Sequence, residues 1–403
     1  MSSPEHAKDD FIRHGTPEFR RTNLALFSAG FATFALLYCV QPLMPVFAKD
    51  FRVSAAQASL SLSLTTGLLA PMMILAGVFS EARGRKPMMV ASLVASSVLT
   101  FACAFMLHWH AFLVMRALAG LTFAGLPAIS MAYLSEEMHP TSIGLAMGLA
   151  IGGNGLGGML GRLTTSLIAD WFGWRYAMAA IGVLGIIASV IFWRTLPPSR
   201  HFVPRTPHLG RMIKTFGQQL REPKLVSLFA IGFLLMGAFV TTYNYVSYHL
   251  LAAPYLLSQA AVGFIFVVYL VGIFSSAFIG SRADRVGRGK MLALMTLVML
   301  AGVGLMALHP VAMVVLGVAT LTFGFFGGHS VASSWVGLRA SSAKAQAAAL
   351  YLFFYYMGSS LAGSAGGAGW DRYRWLGVEL FLATLLVIAL AIAIVNMRRT
   401  ESA

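Results

Sequence analysis

The sequence predicts an all-α membrane protein of twelve transmembrane helices in two six-helix, pseudo-symmetric halves, and three observations predict it. The 403 residues are 58% hydrophobic and 11% charged, with a mean hydropathy of +0.76, which an ordinary soluble domain does not show. Apolar runs recur along the chain, each long enough to cross about 30 Å of hydrocarbon at ~1.5 Å per residue. Sliding the chain by 203 residues lays Gly77 on Gly280, Glu81 on Asp284, Gly84 on Gly287 and Arg85 on Arg288, as an internal repeat requires.

The runs lie at roughly 23–48, 57–79, 88–107, 111–134, 143–168, 175–195, 225–249, 257–280, 290–308, 311–334, 345–366 and 375–397. Each must satisfy its own backbone hydrogen bonds in lipid, and alternating strand patterns are absent, so all twelve read as helices. The first six form a bundle over 23–195 and the last six a bundle over 225–397, with tails at 1–22 and 398–403. The tail at 1–22 mixes both signs of charge and leads into a full-length span, so no cleavable leader is expected. The connector, 196–224, carries Leu209, Met212, Ile213, Phe216 and Leu220 at helical spacing, with Arg211, Lys214 and Arg221 elsewhere around the turn. An amphipathic helix lying on the membrane surface is expected there.

A net charge of +15 raises the question of nucleic acid, and the positions of the basic residues answer it. Of the 29 Lys and Arg, 22 fall on the side of the termini and connector. Lys49, Arg52, Arg175, Arg372 and Arg374 fall on the other, and Arg116 and Arg162 lie inside spans. Basicity therefore encodes topology, with both termini cytoplasmic, and no nucleic-acid partner is expected. Cys39 and Cys103 sit in apolar spans, where a lone cysteine acts as a small hydrophobe, so neither a disulfide nor a metal site is expected. No His-Glu-x-x-His, Gly-x-Ser-x-Gly or paired-cysteine pattern supports enzyme chemistry, and the loops are too short for a receptor's output domain. The expected partners are the lipid bilayer and a small-molecule substrate, with a monomer in a bacterial inner membrane.

Charge concentrates in one repeated loop, "AGVFSEARGRKP" at 76–87 and "IGSRADRVGRGK" at 279–290. Its glycines allow a tight turn. Its acid can bond a facing helix N-terminus and pair with nearby Arg, a clamp on the cytoplasmic ends that water can reopen. Gly77, Glu81, Gly84, Arg85 and Lys86, with Gly280, Asp284, Arg285, Gly287 and Arg288, are the expected switch residues. Inside the spans, the amides of Gln41 and Asn244 are costly in lipid but useful in a watery cavity, and the repeat places them face to face. Arg116, about five residues in from the outer end of its span, needs a reason at that depth. It could tune Glu379, an acid within the last span, or bind an anionic substrate. The first half lacks a deep acid, which argues for neutral or anionic substrates. Tyr38, Asn154, Tyr243, His329 and Tyr355 are further expected residues of the path.

These features resemble the major facilitator superfamily over essentially the whole length. The family's loop motif runs Gly, two residues, small, Asp, Arg, any, Gly, Arg, and Gly280, Ala283, Asp284, Arg285, Gly287 and Arg288 fit it throughout. The first copy departs at Ser80, Glu81 and Ala82, which implies a thinner ion-pair network there. Arg116 and Gly120 resemble the fourth-helix motif linked to proton transfer. Gly153, Gly157 and Gly158 resemble the antiporter signature of the fifth helix, with Asn154 where Pro is usual, and Gly144, Gly148 and Gly152 extend a close-packing stripe. The arabinose-efflux-permease-like branch is the nearest in pattern. The resemblance implies a proton-coupled antiporter that exports a small organic molecule by alternating access, driven by the proton gradient with no cofactor. The alternative it leaves open is a proton symporter taking up a neutral or anionic metabolite.

Overall fold

The computed structural model describes residues 11–204, 209–340 and 343–401. Ten apolar helices come first: α1 Pro17–Asp50, α2 Ala55–Arg83, α3 Arg85–Cys103, α4 Trp109–Glu137, α5 Ile143–Phe172, α6 Trp174–Thr195, α7 Pro223–Leu251, α8 Gln259–Gly280, α9 Arg288–Met306 and α10 Val311–Arg339. The helical stretch Lys344–Glu401 is broken at Arg374, whose φ of 54° and ψ of −139° are non-helical. That break makes two spans of it, α11 (344–373) and α12 (375–401), for twelve among the described residues. A side chain on Gly377 would strike the Gly369 backbone, so the two helices meet closely just beyond the break. A further helix, Leu209–Gln219, lies in the connector.

Local chemistry sets the ends. Ser54 and Gln57 form a capping box at the start of α2, and Ser258 caps α8. Gly84 and Gly287, at φ 93° and 97°, terminate the helices before α3 and α9 in the left-handed region, so the repeated loop has the same turn in both halves. The halves repeat in packing as well. Gly157 of α5 lets the Phe31 carbonyl of α1 approach, and Gly358 of α11 does the same for the Phe233 carbonyl of α7.

One irregularity matters for the site. Helix α1 is regular to Tyr38, passes through a 3₁₀ turn at Gln41–Leu43 and resumes at Met44–Asp50. Pro42 and Pro45 have no N–H to give, so the chain cannot continue its ladder there. The last regular bond goes from Cys39 N–H to the Ala35 carbonyl, which leaves the carbonyls of Leu36 and Leu37 without helical partners.

Candidate functional site

Two buried arginines lie near the middle of the far half, the half remote from the termini and connector, and they are used differently. Arg116 is 0% exposed and donates from Nε to the Ser61 carbonyl at 2.9 Å, from Nη1 to Leu36 at 3.2 Å and from Nη2 to Leu37 at 2.7 Å. It fills the two carbonyls left by the break in α1 and ties α4 to α1 and α2. All three of its nitrogens bond backbone carbonyls and the side chain is fully enclosed, so Arg116 serves here as a tie between helices, where a partner acid or a substrate contact was expected. Its supposed partner Glu379 lies at the far end of α12 beside Trp375, within electrostatic reach of Tyr255, and takes no part in these bonds.

Arg162 of α5 is 1% exposed. Its Nε donates to Gln41 Oε1 at 2.6 Å and its Nη1 to the Gly158 carbonyl at 2.6 Å. Gln41 Nε2 in turn donates to Asn244 Oδ1 at 2.7 Å, so the expected amide pair meets across the two halves with an arginine at its back. The guanidinium lies over Tyr38 of its own half at 4.2 Å and over Tyr269 and Phe266 of the other half at 4.8 and 5.4 Å. Among the described residues, neither Arg116 nor Arg162 forms an ion pair. Arg162 carried a readable signal, an in-span cation with the cost that implies, but no motif pointed to it.

Toward the connector side the wall is aromatic. His329 Nδ1 and the Tyr351 hydroxyl are 2.9 Å apart, and the His329 ring lies 4.7 Å from Tyr355. Tyr38, Tyr269, Tyr351 and Tyr356 all stand within electrostatic reach of Tyr355. Tyr243 stacks on Phe266 and meets Tyr269 at a tilt of 59°, and its hydroxyl is paired with Thr322 at 2.8 Å, so it backs the wall instead of lining the path. Asn154 is also displaced from the path. It lies against Gly30 and lines a pocket of about 40 Å³ within the first half, with room for little more than water.

The glycines of α5 divide in a way the sequence did not suggest. Gly153, Gly157 and Gly161 pack on Phe27, Phe31 and Ala35 of α1. Gly144, Gly148 and Gly152 face open space, which removes them from the expected stripe. Gly158 makes room for Arg162: an added Cβ would stand 3.2 Å from Nη1.

Each switch loop is tied within its own half. Arg85 meets Glu136 with both Nε and Nη2, at 3.1 and 2.6 Å, and bonds Ser80. Ser80, a departure from the family motif, thus adds a partner to Arg85. Lys86 donates to the Leu196 carbonyl. Glu81 and the exposed Arg285 form no ion pair among the described residues. In the second copy Arg288 bonds Asp284 at 2.5 Å and Ser334 at 2.6 Å. Gly77 has open space where a Cβ would stand, whereas Gly280 lies against Ser330. The described ion pairs of the two loops, Arg85–Glu136 and Arg288–Asp284, thus hold each loop within its own half and form no clamp between the halves on the connector side.

The Major Facilitator Superfamily model matches residues 26–253. The chain is 52% identical over 380 residues to the uncharacterized MFS-type transporter YybF of Bacillus subtilis (strain 168), covering 94% of each chain. It is 47% identical over 394 residues to the inner membrane transport protein YnfM of Escherichia coli (strain K12), covering 98% of this chain and 94% of that one. Its fold is similar to the crystal structure of a bacterial homolog of the human lysosomal transporter Spinster, inward-facing and unoccupied, with a TM-score of 0.78 at 16% identity over 95% of this chain and 98% of that one. With twelve spans, a repeated glycine turn and these relatives, the chain belongs to the major facilitator superfamily.

Proposed function

We propose that the protein exports a small organic molecule across the bacterial inner membrane in exchange for protons, by alternating access, with its termini and connector in the cytoplasm. The observation that carries this reading is where the halves touch. Asp371 of α11 accepts from the Ala55 and Ala56 N–H groups at the start of α2, at 3.2 and 3.4 Å. Gln259 donates to the Pro42 carbonyl at 2.6 Å, and Ser360 to the Ser63 carbonyl at 2.7 Å. These bonds, with Gln41–Asn244, lie in the far half or at mid-depth, while the described ion pairs of the switch loops on the connector side, Arg85–Glu136 and Arg288–Asp284, each lie within one half. A path shut on one face and parted on the other, at the axis between two repeats, suits a carrier. On the positive-inside reading of the basic loops the parted face is the cytoplasmic one, where cargo for export loads. His329, beside Tyr351 on the wall, is a titratable group placed to couple that path to protons.

The test is proton flux in reconstituted vesicles. In inside-out vesicles with an acid lumen, adding a transported solute should alkalinise the lumen, read by a trapped pH dye, and a protonophore should abolish its uptake. Uptake driven instead by acid medium in right-side-out vesicles identifies a symporter and overturns export.

A further inference from the structure

We infer that Arg162 is the receptor for an anionic group on the transported molecule, a small aromatic carboxylate being the class that fits best. The inference rests on the transport reading and deepens it. A guanidinium has five N–H donors, and Arg162 spends one on Gln41 and one on Gly158. Its Nη2 bonds no described residue, yet it is not among the buried atoms sealed without a partner. The Nη1–Nη2 edge is therefore free to accept a carboxylate as a two-pronged pair. Arg116 shows the contrast, for there every nitrogen is occupied by a carbonyl.

The surroundings supply the rest of a site. The hydroxyls of Tyr38 and Tyr269, whose rings lie against the guanidinium, likewise bond no described residue and are not sealed, so they can donate to the same anion, and those of Tyr355 and Tyr356 continue the wall beyond them. A buried cation without a counter-charge is costly, and a ligand that brings the negative charge relieves that cost. Tyr38 and Tyr269, from opposite halves, both hold their rings against the guanidinium, at 4.2 and 4.8 Å. Tyr355 and His329 continue the wall toward the parted face, where an aromatic body can stack. Because the bond from Nε to Gln41 is separate from the free edge, an anion can dock without breaking the Gln41–Asn244 contact.

The test uses benzoate with its neutral isostere benzamide, on purified full-length protein, read by thermal stabilisation and by counterflow in proteoliposomes. Benzoate should stabilise saturably and at least tenfold more tightly than benzamide. Arg162→Gln should abolish the preference, while Arg162→Lys, keeping charge without the fork, should retain part of it and guards against a folding defect in the first variant. Equal effects of the two compounds, no benzoate effect on the wild type, or an unchanged preference in a folded Arg162→Gln would each overturn the assignment. Benzoate bound through Arg162 but not moved by the wild type would sink the transport reading and leave the anion site standing. Proton-linked transport of a solute that benzoate does not inhibit would do the reverse.

Discussion

Replacing Arg116 by Gln tests whether this arginine is a structural pin. The substitution removes three charge-assisted bonds to carbonyls, two of which, at Leu36 and Leu37, belong to a helix end that cannot reclaim them. Hydrogen bonds to charged groups contribute ~1.5–3 kcal/mol each, and a buried acceptor left unpaired costs ~1–3 kcal/mol. Interhelical bonds in membranes run lower, averaging ~0.6 kcal/mol, because the unfolded chain in lipid also finds partners. Weighing these, Arg116→Gln should cost about 3 kcal/mol, on the order of 100-fold in the folding equilibrium. A single ammonium can reach only some of the carbonyls, so Arg116→Lys should lose roughly half as much. Steric-trapping unfolding in bicelles measures the loss, and solute flux normalised to folded protein measures what survives. Wild-type stability in Arg116→Gln, together with abolished transport, would refute the reasoning and return Arg116 to the transport path.

Two further outcomes follow from the packing and the latch. Gly157→Ala should prevent α1 and α5 from closing on each other and lower thermal stability by several degrees, whereas Gly148→Ala, with open space at its Cβ, should leave it unchanged or slightly raised. In a double-mutant cycle, Gln41→Leu and Asn244→Leu should show a coupling of ~0.6–1.7 kcal/mol and move far-face spin labels apart, and an additive cycle would count against the latch.

Twelve spans were legible because lipid imposes length and hydropathy on each, and because a repeat shows as self-similarity. The exact pairing of polar groups was not. Arg116 looked functional because its depth is expensive, but what compensates it is a pair of carbonyls left open where another helix ends and gives way to a 3₁₀ turn, and backbone bonds leave no residue-type signature. Arg162 shows the same limit in reverse: its partners, Gln41 and the aromatic faces of Tyr38 and Tyr269, come from two helices distant from it in sequence. The facing amides were readable because the repeat itself equates Gln41 with Asn244. Of the glycines in α5, spacing alone could not choose between the two four-residue registers, since either makes a stripe, and only the position of α1 decides.

The two switch loops share a turn but differ in their bonds, and that difference makes a prediction about states. Arg85 is nearly enclosed and held by two oxygens of Glu136, so Glu136→Gln strips a buried cation of its counter-charge and should lower stability by ~1–3 kcal/mol. Asp284 has 72% of its side chain exposed and pairs with Arg288 one turn away, a geometry worth only ~0.3–0.5 kcal/mol. Its acid is thus spare in the present conformation and available to bond across the connector face when that face closes. Asp284→Asn should accordingly leave the stability of this state nearly unchanged while removing support from the closed one, and the population should shift toward the parted face. Electron-electron distances between labels on the two connector-side loops measure the shift: Asp284→Asn should lengthen the mean distance, and Glu136→Gln should lower the melting temperature with less effect on it. Unchanged distances and wild-type transport in Asp284→Asn would mean that the second loop only fixes topology, and that closure on that face is carried by other residues.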